Sequence, residues 1–466
     1  MAPSRSRPTP ILSPFDRARR KAYWRLLPLL GVCYIVAYVD RANVALAKLT
    51  MSQALPAFDN AVIGLGAGLF FVGYFLLEIP GCLVVEKWSA RKWICRIMIT
   101  WGVVASLTAF VKTPAQFYLV RFVLGLAEAG FFPGVIVYLT HWFPSRDRAR
   151  ALAWFIIATP LAQIVSPKIS NWLLKIGTDE LINGVSIHHP ELLGLQGWQA
   201  LYVFWGVPAI VLGLLVPFSL KDRPGDARWL TSEERQALED NLAAERAQRG
   251  AGRRMGLAAA LQHPKVLLLA IAYFCGTSAG YGYEFFVPSI LQQWYSLKID
   301  TITWLVLLPP VLALAGQLFA AWNSDRTGER RFHAIVPLLM GATSLAVAPL
   351  TRGHLPLTIA CFMLAFAGIK SYQPAFWSLP SLFLVDTAAA GSTGLINSIG
   401  NLGGFVGPSV LGKVQTLTGS FAGGICYLAA SLAVAAGIIS WLRFEEKEDS
   451  VKGLKVVVKR ALHRPS

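Results

Sequence analysis

Charged side chains are scarce in this sequence of 466 residues: they make up 15%, whereas hydrophobic residues make up 55%. A chain of this length and composition cannot fold in water without leaving a large apolar surface exposed. The composition therefore excludes a soluble globule and predicts that the protein folds in a lipid bilayer.

Several motifs of enzymes and metalloproteins are also missing. The six cysteines form no Cys-x-x-Cys motif and no Cys/His cluster, which argues against a zinc site and a disulfide framework. There is no HExxH motif, no nucleophile elbow and no paired Asp-rich motif. We therefore expect no catalytic residues, no metal and no cofactor, and we predict that the protein is not an enzyme.

Long apolar runs are the most abundant feature. A helix needs about 20 mostly apolar residues to cross a bilayer, and the runs are too continuous for the alternating strands of a membrane barrel. We predict an all-α membrane protein with twelve transmembrane helices. The expected spans are 26–48, 61–86, 93–112, 115–139, 149–175, 198–220, 265–291, 301–321, 332–350, 355–384, 389–413 and 419–442.

Basic residues outnumber acidic ones, 43 to 26, and the net charge is +17. Most Lys and Arg residues fall in segments that share one side of the membrane if the N-terminus is cytosolic. The positive-inside rule then predicts a multi-pass protein of the inner (cytoplasmic) membrane with both termini in the cytosol. Because this rule accounts for the excess of bases, we expect no nucleic-acid partner.

The longest polar insertion, 221–264, leaves six spans on each side, and its Asp, Glu and Arg residues recur at helical spacing. We predict two six-helix bundles joined by a cytosolic linker with an amphipathic helix. The expected regions are a cytosolic tail (1–25), a first bundle (26–220), the linker (221–264), a second bundle (265–442) and a second cytosolic tail (443–466).

Two loops, one in each half, carry the same order of residues: a small residue, an acid and then bases. This order resembles the signature loop of the major facilitator superfamily, which implies that superfamily's fold. In the superfamily, these charges are thought to pair across neighbouring helices and to hold one face of the transporter closed. The resemblance assigns a gating role to Glu86, Arg91 and Lys92 in the first loop and to Asp325, Arg326 and Arg330 in the second.

Longer motifs extend the resemblance over nearly the whole chain. They are Tyr38-Val-Asp40-Arg41-Ala-Asn43, Gly73-Tyr74-Phe75, the run from Arg121 to Gly134, the run from Ser324 to Arg330, and the run from Asn397 to Pro408. These stretches are similar to the anion:cation symporter family, and within it to tartrate, phthalate and other hydroxy-acid or aromatic-acid permeases. The resemblance implies a proton symporter for a small organic anion.

Charges inside predicted spans are costly and mark functional positions. Arg121 and Glu128 are seven residues apart, two helical turns, and so share one face. Asp40 and Arg41 are adjacent and diverge by about 100° around the helix axis. The resemblance implies that Asp40 and Glu128 bind protons and that Arg41, Arg121 and Tyr74 contact the substrate. A salt bridge that only holds the bundle together is the structural alternative.

Further polar candidates lie in other predicted spans. Trp377 and Asn397 match cavity positions of the resembled family, and Gln163 is a polar candidate with less motif support. Lys370, which shares a helix with Trp377, could supply a second cation for a dicarboxylate. Three charges depart from the family pattern, and their roles are open between substrate contact and structure: Lys370 could instead pair with Glu284, and Lys168 could reach the outer surface.

The expected mechanism is alternating access, in which the bundles open a midplane site to one side at a time. A bound anion favours protonation of nearby carboxyls, and this reciprocal coupling makes a symporter that imports its substrate. An antiporter or uniporter of the same fold is the first alternative, and a membrane sensor is the second. Protons are the expected coupling ion, and we expect a monomer.

Overall fold

The computed structural model describes residues 12–182, 185–249, 263–382 and 386–442. Part of the first predicted tail (1–11), part of the predicted linker (250–262) and the whole second tail (443–466) lie outside the described residues. The described chain is almost entirely helical, which confirms the predicted all-α class.

The described helices divide the chain as follows. The first part has α1 (Pro14–Ala54), α2 (Asn60–Lys87), α3 (Ala90–Leu107), α4 (Pro114–Glu128), α5 (Phe131–Trp142), α6 (Ser145–Ile156), α7 (Ala158–Leu174), α8 (Gly197–Ser219) and α9 (Ser232–Arg249). The second part has α10 (Pro264–Tyr295), α11 (Ile299–Leu305), α12 (Leu308–Thr327), α13 (Arg331–Val347), α14 (Leu355–Ser371), α15 (Gln373–Phe376), α16 (Asp386–Asn401), α17 (Gly403–Thr418) and α18 (Ala422–Trp441).

Among the described residues, 11 helical segments are long and apolar enough to cross a membrane. The remaining predicted span, 389–413, is divided between α16 and α17, which are 16 residues each and are separated by Leu402. Neither piece is long enough to cross alone, although together they cover the predicted region. A small antiparallel hairpin, β1 (Asp179–Ile182) with β2 (Val185–His188), follows α7 and was not predicted.

Several spans are interrupted, and the break after α4 has a clear local cause. Gly130 has a φ of 85°, which side chains other than glycine rarely adopt. A Cβ at this position would also lie 3.1 Å from Nε1 of Trp93. The left-handed glycine prevents the helix from continuing. Glu128 is the last residue of α4, and Ala129 lies between it and Gly130.

The chain forms two compact units. The first contains the described residues of 1–57 and 72–251, and the second contains the described residues of 58–71 and 252–466. In the first unit α3 and α8 are in backbone contact, since a Cβ on Gly102 would lie 2.6 Å from the carbonyl oxygen of Gly206. In the second unit α10 packs against α16, α17 and α18.

The linker helix α9 packs on the first unit, where it buries Glu234, Leu238 and Leu242 at four-residue spacing. Nζ of Lys21 on α1 lies 2.7 Å from the Glu234 carboxylate. Trp229, just before α9, stacks on Trp142 with ring centroids 5.3 Å apart. The helical periodicity read from the sequence thus corresponds to an amphipathic helix whose buried stripe includes one paired carboxylate.

Candidate functional site

Asp40 is nearly fully buried on α1, with 2% of its surface exposed. Its Oδ2 accepts a hydrogen bond of 2.7 Å from Nε1 of Trp101 on α3. Asn43, one turn further along α1, donates a longer bond of 3.4 Å to Oδ1. These two neutral donors satisfy the carboxyl group without adding a positive charge.

Arg121 and Glu128 on α4 are both buried, as expected for two residues that share an inward face. Arg41 on α1 forms an ion pair with Oε1 of Glu128. The other oxygen, Oε2 of Glu128, is buried and accepts no hydrogen bond from the described residues. Glu128 therefore has one oxygen on a guanidinium and one that can carry a proton.

Arg41 is the most exposed of these four charged side chains, at 17%. Its guanidinium carbon lies 5.4 Å from the centre of the Tyr74 ring on α2. Arg121 is fully buried and lies two helical turns before Glu128 on the same face of α4. The structure thus groups Asp40, Arg41, Arg121 and Glu128, with Tyr74 beside them, and we call these five residues the charged cluster.

Gln163 on α7 donates a hydrogen bond of 2.6 Å to the hydroxyl oxygen of Tyr38 on α1. Tyr38 lies two residues before Asp40 and is buried, whereas Gln163 is half-buried. The predicted substrate contact at Gln163 is therefore tied to the same helix that carries Asp40 and Arg41.

The second unit contains a different arrangement. Nζ of Lys370 on α14 lies 2.6 Å from Oε1 of Glu284 on α10, with exposed fractions of 22% and 11%. Nζ also lies 5.0 Å from the centre of the Phe366 ring. The sequence left two roles open for Lys370, a substrate contact or a pair with Glu284, and the structure contains the pair with Glu284. Lys168, in the first unit, is exposed on α7.

The other candidates of the second unit are half-buried. Trp377, just after α15, meets the Tyr273 ring edge to face at 4.7 Å. Asn397 lies on α16, one turn before Gly400. Thr277 of α10 donates a hydrogen bond to the Gly400 carbonyl oxygen, so α10 and α16 are joined beside Asn397.

The predicted gating residues of the first loop contact the end of α8 and the residues just after it. In the first loop, Arg91 donates to the Pro217 carbonyl oxygen at 3.1 Å and pairs with Asp222 just after α8. Asp222 also accepts hydrogen bonds from the Ser89 hydroxyl and the Arg91 backbone N–H. Lys92 is exposed, and the side chain of Glu86 lies outside the described part of the chain.

In the second loop, Arg330 donates to Asp325 of the same loop at 2.6 Å. The guanidinium carbon of Arg326 lies 5.5 Å from the Trp322 ring. The first of these contacts joins the end of α12 to the loop that follows it, and the second lies within the end of α12.

Sequence reasoning missed two residues that the structure connects to these sites, namely Trp101 and Asp222. Trp101 donates a hydrogen bond to Asp40, and Asp222 forms an ion pair with Arg91. A tryptophan or tyrosine in an apolar span carries no local signal, because packing is its commonest role. Asp222 could have been found from the sequence, because it is an acid just after the sixth predicted span, 198–220.

Across the described residues, no group of three His, Cys, Asp or Glu side chains could hold a metal ion.

A helical protein with 11 segments able to cross a bilayer, and with a paired charged cluster buried among them, has the architecture of a membrane transporter. The sequence pattern of the Major Facilitator Superfamily matches residues 30–408. The chain belongs to this superfamily, as the signature loops indicated.

Two relatives show which transporters the chain resembles. It is 42% identical over 421 residues to a protein of Agrobacterium vitis provisionally named a tartrate transporter, covering 90% of each chain. It is 36% identical over 420 residues to a protein of Acinetobacter baumannii named a quinolone resistance transporter, covering 90% of this chain and 93% of that one.

Among solved structures, the xylose transporter XylE from E. coli matches with a TM-score of 0.69 at 13% identity, covering 92% of this chain and 99% of that one. An identity this low supports the fold alone. The comparisons and the fold together identify a multi-pass membrane transporter of a small molecule, and not an enzyme.

Proposed function

We propose that this transporter is a proton-coupled symporter that imports a small organic anion, a hydroxy or aromatic acid of the tartrate type. The observation that carries the proposal is the ion pair of Arg41 with Glu128, beside the buried Asp40 and Arg121. With all four groups ionised, the cluster holds two positive and two negative charges and is formally neutral.

The arginines supply the anion specificity. A guanidinium offers a planar fork of N–H donors that matches a carboxylate. Arg41 is the more exposed of the two arginines and is the first group that an entering anion would meet. An incoming carboxylate would then compete with Glu128 for Arg41.

Proton coupling follows from this competition. A carboxylate that loses its counter-charge in a buried site costs several kcal/mol, and protonation removes that cost. When the anion takes Arg41, Glu128 therefore favours its protonated form, and Oε2 already lacks a hydrogen-bond donor among the described residues. By linkage, a proton on Glu128 frees Arg41 and favours anion binding. Asp40 is the second proton site in this scheme, and Arg121 the second anion contact.

The remaining assignments rest on the same pattern. Tyr74 would orient Arg41, and Gln163, Lys370, Trp377 and Asn397 would line the substrate path. The distribution of basic residues supports placement in an inner membrane with both termini in the cytosol. The two gating loops would be held by their charged residues, namely Glu86, Arg91, Lys92, Asp325, Arg326 and Arg330.

The relative named for quinolone resistance supports a second candidate, an exporter that exchanges a drug for protons. The two candidates require opposite directions of proton movement relative to the substrate. A symporter concentrates an acid inside vesicles whose interior is alkaline, whereas an antiporter concentrates a drug inside vesicles whose interior is acidic.

The test is uptake by purified protein in liposomes. Labelled tartrate, phthalate, hydroxyphenylacetate, galactonate and a fluoroquinolone are offered under each of the two gradients, with protein-free liposomes as the control for passive entry. We expect one or more acids to accumulate only when the interior is alkaline. Accumulation of the fluoroquinolone alone, with the interior acidic, would contradict the proposal and establish the exporter.

A further inference from the structure

Trp101 of α3 places a buried indole against Asp40, the second proton site of the proposed function. Nε1 of Trp101 donates a hydrogen bond of 2.7 Å to Oδ2 of Asp40, and both side chains are buried. An indole carries one N–H donor and no acceptor. Trp101 can therefore be satisfied only by a carboxyl oxygen that accepts, whether or not Asp40 carries a proton.

Packing on two sides holds the indole of Trp101 in this position. Its ring meets that of Phe131, the first residue of α5, at a steep angle of 70° with centroids 6.2 Å apart. The next residue of α3, Gly102, lies against α8, since a Cβ there would be 2.6 Å from the carbonyl oxygen of Gly206. The N–H of Trp101 is therefore a donor with a fixed place.

The other oxygen of Asp40 faces a group that can reverse its role. Nδ2 of Asn43, one turn further along α1, donates to Oδ1 of Asp40 at 3.4 Å, and Asn43 is buried as well. A side-chain amide carries both donors and an acceptor, so a half-turn of the amide exchanges them. Oδ1 thus has a neighbour that can donate to the bare oxygen or accept from an O–H group.

We propose that Trp101 is a positioning residue that keeps Oδ2 of Asp40 as an acceptor and so directs the coupling proton to Oδ1, where the Asn43 amide turns to accept the new O–H bond. The inference rests on the proposed function, in which Asp40 is a proton site. In a carboxylic acid the carbonyl oxygen is the better acceptor, so the bond from Trp101 persists when the proton binds Oδ1.

The two neighbours of Asp40 should act on the proton in opposite directions. A hydrogen bond to an ionised acceptor is stronger than one to a neutral acceptor, so the N–H of Trp101 stabilises the carboxylate more than the acid. Its removal should favour the proton. The turned amide of Asn43 stabilises the protonated form, and its removal should disfavour the proton.

The experiment isolates Asp40 from the other groups that act on it electrostatically, which are Glu128 and Arg121 of α4 and Tyr202 of α8. Glu128→Gln is the starting protein, because it leaves Asp40 as the remaining proposed proton site. An arginine and a tyrosine ordinarily keep their protons between about pH 6 and 8.5. The measured quantity is the dissociation constant of the labelled acid that the liposome panel identifies, followed over this range, since a proton and an anion that bind together make this constant depend on pH.

In this background we expect Trp101→Phe to move the pH midpoint of binding upward by about one unit, the effect of one lost hydrogen bond to a charged group. Asn43→Ala should move the midpoint downward. Trp142→Phe is the matched control and should leave it in place. Trp142 is a fully buried tryptophan of the first unit whose Nε1 donates at 2.9 Å to the backbone carbonyl oxygen of Lys221.

An unchanged midpoint in Trp101→Phe, or shifts in the same direction in both variants, would overturn the inference and leave the proposed symport intact. An effect of Trp101→Phe on affinity that persists in Asp40→Asn would also overturn it, because that result indicates a packing role. If Glu128→Gln binds the acid with no dependence on pH, Asp40 is not a proton site and the inference fails.

If the wild-type protein neither accumulates the acid nor binds it in a pH-dependent manner, the proposed function and the inference both fail. Should Trp101→Phe not fold, a tryptophan analogue in which sulfur replaces the N–H group takes its place. This analogue keeps the shape of the indole at position 101, and it must give the same upward shift.

Discussion

The two units of this transporter bury their charges in different ways. The first holds two arginines and two carboxyl groups in one cluster, with Arg41 paired to Glu128 and Asp40 bonded to neutral donors. The described spans of the second unit hold one close pair, Lys370 with Glu284. Under the proposed function, a substrate carboxylate would replace Glu128 on Arg41 in the first unit. In the second, Lys370 has a carboxylate 2.6 Å away.

This difference suggests a division of labour under the proposed function. The first unit supplies the charge that binds the anion and the carboxyls that bind protons. The second unit supplies a neutralised pair and aromatic surface around Tyr273 and Trp377. Mutations that remove charge should therefore have unequal effects in the two units.

The largest effect is expected for Arg121→Gln. This change removes a fully buried guanidinium from the charged cluster and leaves one positive and two negative side chains there. We expect initial uptake to fall about a hundredfold or more, because losing one partner of a buried charge pair costs about 3–5 kcal/mol. Uptake by proteoliposomes measures it, with size-exclusion profiles to check folding. If Arg121→Gln and Lys370→Met reduce initial uptake equally, the proposed difference between the units is contradicted.

In the second unit, removing both charges of the pair of Lys370 with Glu284 should destabilise the protein less than removing one of them. Lys370→Met or Glu284→Gln alone leaves one buried charge, whereas the double variant leaves none, so each single variant should be less stable than the double. Thermal unfolding in detergent measures this order, and a double variant no more stable than the singles would contradict it. If Lys370 also meets the substrate, Lys370→Met should impair uptake of dianions more than that of monoanions, and equal impairment would exclude that contact.

The smallest effect is expected away from both sites, at Glu234 of the linker helix. Burial alone would raise the pKa of Glu234, but hydrogen bonds from Lys21 and from the Thr231 backbone N–H lower it below its usual value. Glu234→Gln should lower stability by about 1 kcal/mol at neutral pH, with transport unchanged.

The sign of its pH dependence follows from the lowered pKa. The stabilisation by Glu234 is fully present above the ordinary pKa of a glutamate and is lost as the pH falls through the lowered pKa. The difference in unfolding temperature between wild type and Glu234→Gln should therefore shrink in acid. Glu233→Gln is the control, since its side chain is 79% exposed. A difference that grows in acid would contradict this account.

The sequence was sufficient to predict the helical class and the residues of the charged cluster, because both leave local signals. Apolar runs identify spans, and a charge such as Arg121 inside a span is conspicuous. The ion pair of Arg41 with Glu128 was not predicted, since it joins residues of α1 and α4 whose facing depends on helix packing. For the same reason, Trp101 could not be distinguished from an aromatic residue that only packs.

The ends and breaks of helices were also beyond prediction from apolar runs. The span that contains α4 and α5 reads as continuous, yet the left-handed Gly130 interrupts it directly beyond Glu128. A glycine in a membrane helix is often compatible with a straight helix, so the sequence alone did not mark this one as a break. The hairpin of β1 and β2 was missed because it is short and lies between two spans.

The most direct test of the central claim is to observe protons moving with the anion through Glu128. Liposomes containing the purified protein and a pH-sensitive dye, with no initial pH gradient, are given an external pulse of the transported acid. The account predicts acidification of the interior by wild type and by the exposed-site control Glu191→Gln, and none by Glu128→Gln, which should still exchange labelled for unlabelled acid. Equal acidification by Glu128→Gln, or anion uptake by wild type without acidification, would contradict it.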